Sequence, residues 1–247
     1  MSNTPNHVGR SVSRPKLSVV IPVYNERTTI KEILRRIQDV AIDKEIIVVD
    51  DGSQDGTREL LEKLSVESDS LRTGNIRILF QNSNRGKGAA LRRGFEIAQG
   101  EIVLVQDADL EYDPRDYFEL MKPIERGEAD VVYGSRFLGG PHRVLLFWHS
   151  IGNRVLTTIS NMFTNLNLSD VWTCYKVFRR EVLEKIRLRE NRFGFEPEIT
   201  AKVARARCRI YEVSIAYHGR TYAEGKKITW RDAVHGLWCV FRYHWGD

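Results

Sequence analysis

The chain has 247 residues, 42% of them hydrophobic and 29% charged, with a formal net charge of +5. That is enough apolar material for one full core, but no apolar run reaches the roughly 18–20 residues of a membrane-spanning helix and the N-terminus lacks an apolar signal core, so neither is expected. The mild basic excess suits anionic partners without choosing among nucleotides, lipid surfaces and nucleic acid, and the odd, dispersed Cys174, Cys208 and Cys239 predict a reducing compartment with neither a disulfide framework nor a Cys-x-x-Cys zinc site.

Residues 1–15 are rich in Ser, Asn, Arg and Pro without periodicity and read as a disordered leader. The run Leu17–Pro22 reads as a first strand, apolar on both faces as in a covered parallel sheet, with Pro22 ending its ladder. A loop bearing Tyr24, Asn25 and Glu26 follows. Thr29 and Glu32 then form a capping box for a helix whose inner stripe is Ile30, Ile33, Leu34, Ile37 and Val40. A second strand at Glu45–Val49 leads into the acidic loop Asp50-Asp51-Gly52-Ser53, where two adjacent acids would repel unless a ligand or a turn accounts for them; Asp55 is placed to cap the next helix. Ile76–Phe80 reads as a third strand. The basic turn Asn84-Arg85-Gly86-Lys87-Gly88 then opens a helix, with an anion site and a solvated turn both open as readings; its spacing matches neither a P-loop nor Gly-x-Gly-x-x-Gly.

Glu101–Val105 reads as a fourth strand, and Asp107-Ala108-Asp109 falls at its carboxyl end, where open α/β sheets bind ligands. In an extended segment residues two apart point the same way, so Asp107, Asp109 and Glu111 would present oxygen ligands to a hard divalent cation; capping of the next turn is the competing account. A further strand at Ala129–Tyr133 delivers Arg136 to a strand end. Ile151, Val155, Ile159, Met162, Phe163 and Leu166 form one helical stripe, expected for the most part to face the core, while Val144–Trp148 beside His142 and Arg143 suits a lipid interface. The alternation of strands and helices predicts a parallel α/β sheet with its chemistry at one edge.

With Ile21-Pro22-Val23-Tyr24-Asn25-Glu26, Val49-Asp50-Asp51-Gly52-Ser53, Asp107-Ala108-Asp109 and Gly134-Ser135-Arg136 in this order, the chain resembles family 2 glycosyltransferases from about Leu17 to about Lys227, and within them the dolichol- or polyprenol-phosphate sugar synthases. The resemblance implies a GT-A fold, a mostly parallel sheet flanked by helices, over residues 16–228. It also implies Mg²⁺ or Mn²⁺ and inverting transfer of a hexose from GDP-mannose or UDP-glucose to a polyprenyl phosphate. Transfer to a sugar hydroxyl is the alternative. By motif, Pro22, Tyr24, Glu26, Val49 and Asp51 resemble the residues that hold base and ribose. Asp107, Ala108 and Asp109 resemble the diphosphate side, the resemblance implies Asp109 with Glu111 as metal ligands, and Arg136, Arg220 and Lys226 resemble donor or acceptor phosphate contacts. Many relatives have Gln where this chain has Glu111. The segment Ser169–Arg180 resembles the family's floor beneath the sugar, with Trp172 bulkier than expected there. Residues 229–247 mix aromatic and basic side chains, Trp and Arg among them, as an interfacial helix does, which predicts a peripheral enzyme on the cytoplasmic membrane face. Docking on a separate membrane subunit is the competing account, and no nucleic-acid partner is expected.

Overall fold

A computed structural model describes residues 14–71, 75–139, 147–219 and 230–246. The strands are β1 (Leu17–Val23), β2 (Lys44–Asp50), β3 (Ile76–Phe80), β4 (Ile102–Val105), β5 (Val131–Ser135), β6 (Lys176–Arg179) and β7 (Ile210–Ser214). The helices are α1 (Ile30–Asp39), α2 (Thr57–Leu71), α3 (Lys87–Ile97), α4 (Tyr117–Glu125), α5 (Phe147–Thr164), α6 (Arg180–Lys185), α7 (Phe195–Arg205) and α8 (Trp230–Trp245). Most of the leader, residues 142–146, Arg220 and Lys226 lie outside the described residues.

The strands form one sheet in the order β3-β2-β1-β4-β6-β5-β7. β1 pairs in parallel with β2 and β4, and β2 with β3; β6 runs antiparallel to both β4 and β5. Because β6 opposes both neighbours, β5 and β7 point the same way as β1–β4, and every strand but β6 ends at one edge. The chain leaves β1 toward β2 and β3 and later returns to its other side as β4. That reversal is the place where open α/β sheets form a ligand crevice.

The core follows from the apolar runs: every residue of β2 and β4 is buried, and α1 turns Ile30, Ile33, Leu34 and Ile37 inward. Several details differ from the sequence reading. Pro22 does not end its strand, since β1 stays in register with β2 through Val23 and Asp50; a proline lacks only the donor. Thr29 makes no capping box, because its hydroxyl donates to Glu26 Oε2 at 2.7 Å while Glu32 pairs with Arg35 and Arg36. β5 runs through Gly134 to Ser135, two residues past its expected end.

The largest difference is α5. Its apolar stripe is split: Ile151, Val155 and Met162 are exposed, at 37%, 52% and 75%, and Ile159, Phe163 and Leu166 are only half-buried, while Thr157 and Ser160 are buried. The reason is the neighbour it packs on. Residues 168–171 have no regular partner strand, so polar side chains of α5 serve their backbone. Asn161 donates to the Leu168 carbonyl at 2.7 Å and accepts from its N–H at 3.1 Å, and Thr157 Oγ1 accepts from Val171 N at 3.4 Å. Satisfying buried peptide groups outweighs hiding the stripe.

Candidate active site

Each expected site residue of the described chain lies at the common strand edge or in the loops leaving it. Pro22 lies near the end of β1, which Tyr24 and Glu26 follow; Val49 lies near the end of β2, which Asp51 follows; Asp107, Ala108, Asp109 and Glu111 follow β4, and Arg136 follows β5. Val49 and Ala108 are buried wall residues. Glu26 is nearly buried, with its N–H donating to Thr57 Oγ1 at 2.9 Å.

Asp51 shows how the turn before α3 is used. Its Oδ1 accepts from Gln81 Nε2 at 2.9 Å and Arg85 N at 2.8 Å, and its Oδ2 accepts from Gly86 N at 2.7 Å. The anion at this helix N-terminus is therefore the protein's own carboxylate. Burial raises the Asp51 pKa against the opposing pull of those two N–H groups. Asp50 meanwhile accepts from Ser53 N and Asp55 caps Thr57, so the adjacent acids are separated by their partners.

Asp107 meets Lys87, whose Nζ lies 2.9 Å from Oδ1 and 3.1 Å from Oδ2; the same Nζ lies 3.2 Å from Glu196 Oε1. Burial would depress the Lys87 pKa, yet Asp107 and Glu196 hold it above its ordinary value, so Lys87 stays charged. The backbone of Asp107 is itself fixed. Gln106 Nε2 donates to the Asp107 carbonyl at 2.9 Å, and Gln106 Oε1 accepts from Tyr117 and Tyr175, each at 2.7 Å.

The expectation of an extended Asp107–Glu111 segment does not hold. Leu110 has a φ of 65° and Asp109 Oδ1 accepts from Glu111 N at 3.1 Å, so the chain turns and period-two alternation does not apply. Glu111 Oε2 accepts from Tyr217 Oη at 2.9 Å. Asp109 and Glu111 remain half-buried oxygen ligands on one tight turn, a set that suits a hard cation completed by diphosphate oxygens and water.

Arg136 forms a bidentate pair with Asp170, Nε to Oδ2 at 2.6 Å and Nη2 to Oδ1 at 2.8 Å, and stands over the Tyr217 ring at 5.0 Å. Burial would lower its pKa, and Asp170 more than reverses this. Ser169 and Asp170 donate their N–H groups to Glu212, which locks this segment to β7. Trp172 packs on α8, where a Cβ at Gly236 would stand 2.2 Å from its ring.

Of the late acids, Glu198 is sealed by Arg189 N, Glu190 N and Lys202. Glu196 is buried beside Lys87, and its Oε2 has no hydrogen-bond partner among the described residues. Sequence reasoning missed Gln106 and Tyr217, and it took in Asp170 only as part of the Ser169–Arg180 segment, without its role beside Arg136. Only Gln106 carried a signal, as an amide at the end of an apolar strand.

The profile of the family described as Glycosyl transferase family 2 matches residues 18–187. Polyprenol monophosphomannose synthase of Mycolicibacterium smegmatis is 31% identical over 215 residues, covering 84% of this chain and 79% of its own length. Undecaprenyl-phosphate 4-deoxy-4-formamido-L-arabinose transferase of Pseudomonas aeruginosa is 30% identical over 214 residues, covering 85% of this chain, which spans 60% of that protein. Among solved structures, glucosyl-3-phosphoglycerate synthase from Mycobacterium tuberculosis with Mn²⁺, UDP and phosphoglyceric acid superposes with a TM-score of 0.71 at 20% identity, over 94% of this chain and 80% of that one. The same enzyme has been solved with Mg²⁺ and UDP, with a TM-score of 0.67. These likenesses establish the GT-A fold.

Proposed function

Since this chain belongs to glycosyl transferase family 2, we propose that it transfers a hexose, with inversion, from a nucleotide-diphosphate sugar to a polyprenyl phosphate. The observation that carries the acceptor is the kinship with two proteins named for polyprenol monophosphomannose synthesis and for sugar transfer to undecaprenyl phosphate. The donor proposed is GDP-mannose or UDP-glucose.

In this reading the loops after β1 and β2 take the nucleoside, with Asp51 holding the Arg85–Gly86 turn in place for it. Asp109 and Glu111 would hold Mg²⁺ or Mn²⁺, which supplies charge neutralisation for the departing diphosphate. Lys87, kept charged between Asp107 and Glu196, adds a fixed positive charge at the same edge. Arg136 is oriented by Asp170 before any ligand arrives and offers its remaining N–H groups to a phosphate. Arg220 and Lys226, outside the described residues, are proposed as further phosphate contacts. A phosphate monoester has a second pKa of about 6 and is largely ionised at neutral pH, so the attack needs guidance and no general base.

The lipid acceptor agrees with the split stripe of α5. Phe147, Trp148, Ile151, Val155 and Met162 are exposed along it, and Val234, Trp238, Phe241 and Trp245 along α8, which packs beside it through Phe163 and Phe241 with ring centroids 4.7 Å apart. No helix among the described residues is long and apolar enough to cross a membrane. These faces suit peripheral seating on a bilayer, or on a separate membrane subunit.

A sugar hydroxyl is the second reading, favoured by one observation: the buried Oε2 of Glu196, unpartnered among the described residues, is a carboxylate oxygen that could take a proton. Mass spectrometry of products from GDP-mannose and UDP-glucose, each offered with polyprenyl phosphate and with free sugars, separates the two. Hexosyl-phosphoprenol is the expected product; transfer to sugars alone would overturn the proposal.

A further inference from the structure

We propose that Glu190, His235 and Cys239 form a second cation site, for a borderline divalent ion such as Zn²⁺, which fastens α8 to the loop preceding α7. One donor atom from each residue lies within 4.8 Å of the other two. His235 Nε2 stands 3.9 Å from Cys239 Sγ and 3.6 Å from Glu190 Oε2. His235 and Cys239 are four apart on α8 and so share one face, which is turned to the loop that carries Glu190.

The donor chemistry separates this site from the one at Asp109. Thiolate, imidazole and carboxylate together suit zinc, whereas the oxygen-only set at Asp109 and Glu111 suits Mg²⁺ or Mn²⁺. Room for an ion is kept by Gly194, where an added Cβ would stand 2.7 Å from both Cys239 Sγ and Glu190 Oε2. Glu190 is also oriented: its Oε1 accepts from Tyr243 Oη at 2.7 Å, which leaves Oε2 toward the other two donors. Such an outer hydrogen bond is what ligating carboxylates ordinarily have. Glu190 and His235 line a cleft of about 560 Å³ that Arg189, Arg192 and Arg242 also border, so an ion has an entry path and its fourth position is left for water or an anion.

The Cys239 thiol is buried, with Glu190 and His235 as its neighbouring donors. Binding breaks the S–H bond, forms a sulfur–metal bond and releases one proton to solvent. The consequence reaches the donor side of the fold. The Asn191 carbonyl accepts from Ala89 N at 3.1 Å, at the start of α3, so fixing Glu190 also steadies the turn that holds Asp51.

The test uses the full-length protein stripped with chelator and titrated with Co²⁺. The expected result is a near-ultraviolet sulfur-to-cobalt charge-transfer band that saturates at one equivalent and is displaced by Zn²⁺; an all-oxygen site produces no such band. It should be lost in Cys239→Ser and kept in Cys174→Ser, which alters the other fully buried thiol. Where Cys239→Ser does not fold, His235→Gln carries the test, since His235 is exposed; it should weaken Co²⁺ binding by about tenfold or more. Zn²⁺ should raise the Tm of the wild type and not that of either variant. No band in the wild type, a band that survives Cys239→Ser, or unchanged affinity in His235→Gln overturns the proposal.

Discussion

Two helices with apolar stripes, α1 and α5, place them differently. α1 buries Ile30, Ile33, Leu34 and Ile37 and keeps its Arg and Glu pairs outside; α5 buries Thr157 and Ser160 and exposes Ile151, Val155 and Met162. They belong to different halves of the molecule. α1 covers strands that pair in parallel with one another, so what it meets is apolar. α5 covers an irregular segment whose backbone needs polar partners. Periodicity reports that a helix has two faces, and the neighbour decides which one goes inward. The same division runs through the candidate site: on the β1–β4 side its residues leave strands in sequence order, whereas on the β5–β7 side Arg136 is set by Asp170, and Tyr217 reaches across to Glu111.

The comparison breaks most visibly if the β4 turn is not where the cation acts. Asp109→Asn should remove metal-dependent turnover, a loss on the order of 1,000-fold, corresponding to the several kcal/mol a metal ion contributes. Turnover in chelator equal to that in Mn²⁺ would contradict it. On the other side of the sheet, Arg136→Ala should abolish transfer to polyprenyl phosphate, but it strands Asp170 as a buried charge, at a cost of about 3–5 kcal/mol in stability. Arg136→Lys is the cleaner variant, because it keeps the charge and loses the bidentate geometry; kcat/KM should fall by roughly ten- to a hundredfold. Wild-type rates in that variant would show that Asp170 positions nothing of consequence.

Asp51→Ala should act on the donor side alone. It frees Gln81 and the Arg85–Gly86 turn, and the donor KM should rise by about tenfold, more than kcat falls, because contacts far from the anomeric carbon are mostly uniform binding. An unchanged donor KM removes Asp51 from the nucleoside site. The half that carries α5 has its own measurement. Deleting residues 230–247 would also remove Cys239, Val240 and Tyr243, which are buried, so point changes are preferable. Trp148→Ser and Trp245→Ser, at positions 78% and 83% exposed, should each weaken co-sedimentation with anionic liposomes by roughly tenfold, since each loses about 1–2 kcal/mol of apolar transfer. Undiminished co-sedimentation of the double variant would leave the outward stripe without a lipid partner.

How much of this was legible beforehand divides along the same line. The first four strands and the edge carrying Asp51, Asp107 and Asp109 were readable because buried parallel strands are unbroken β-branched runs and the polar residues that follow them are local in sequence. β6 and β7 were not. β6 is four residues long, and β7 is a half-exposed edge strand, so neither presents a long apolar run. Asp170 and Tyr217 reach the site through partners 34 and 106 residues away, a pairing no local pattern carries. Lys87 was read as part of a basic turn, and only the folded chain shows it enclosed between Asp107 and Glu196.

The smallest expected effect is the one that decides between acceptors, and it sits where the halves meet. Glu196 comes from α7 and reaches Lys87 of α3 at 3.2 Å, with its other oxygen buried and unpartnered among the described residues. A hydroxyl acceptor must lose its proton as it attacks, and a general base there is worth about 10²–10⁴-fold. A phosphate acceptor is already ionised, so Glu196 then serves only to steady Lys87, which Asp107 also holds. Glu196→Gln keeps an oxygen for that ammonium and removes the basic one; kcat with polyprenyl phosphate should stay within about tenfold of the wild type, well short of what losing a base entails. Glu198→Gln should likewise keep its kcat per folded molecule, because Glu198 is taken up by Arg189 N, Glu190 N and Lys202 and touches nothing at the strand edge. If Glu196→Gln is folded and binds donor yet is inactive, and a free sugar accepts the hexose in the wild type, then the unpartnered oxygen is the base and the acceptor is a hydroxyl.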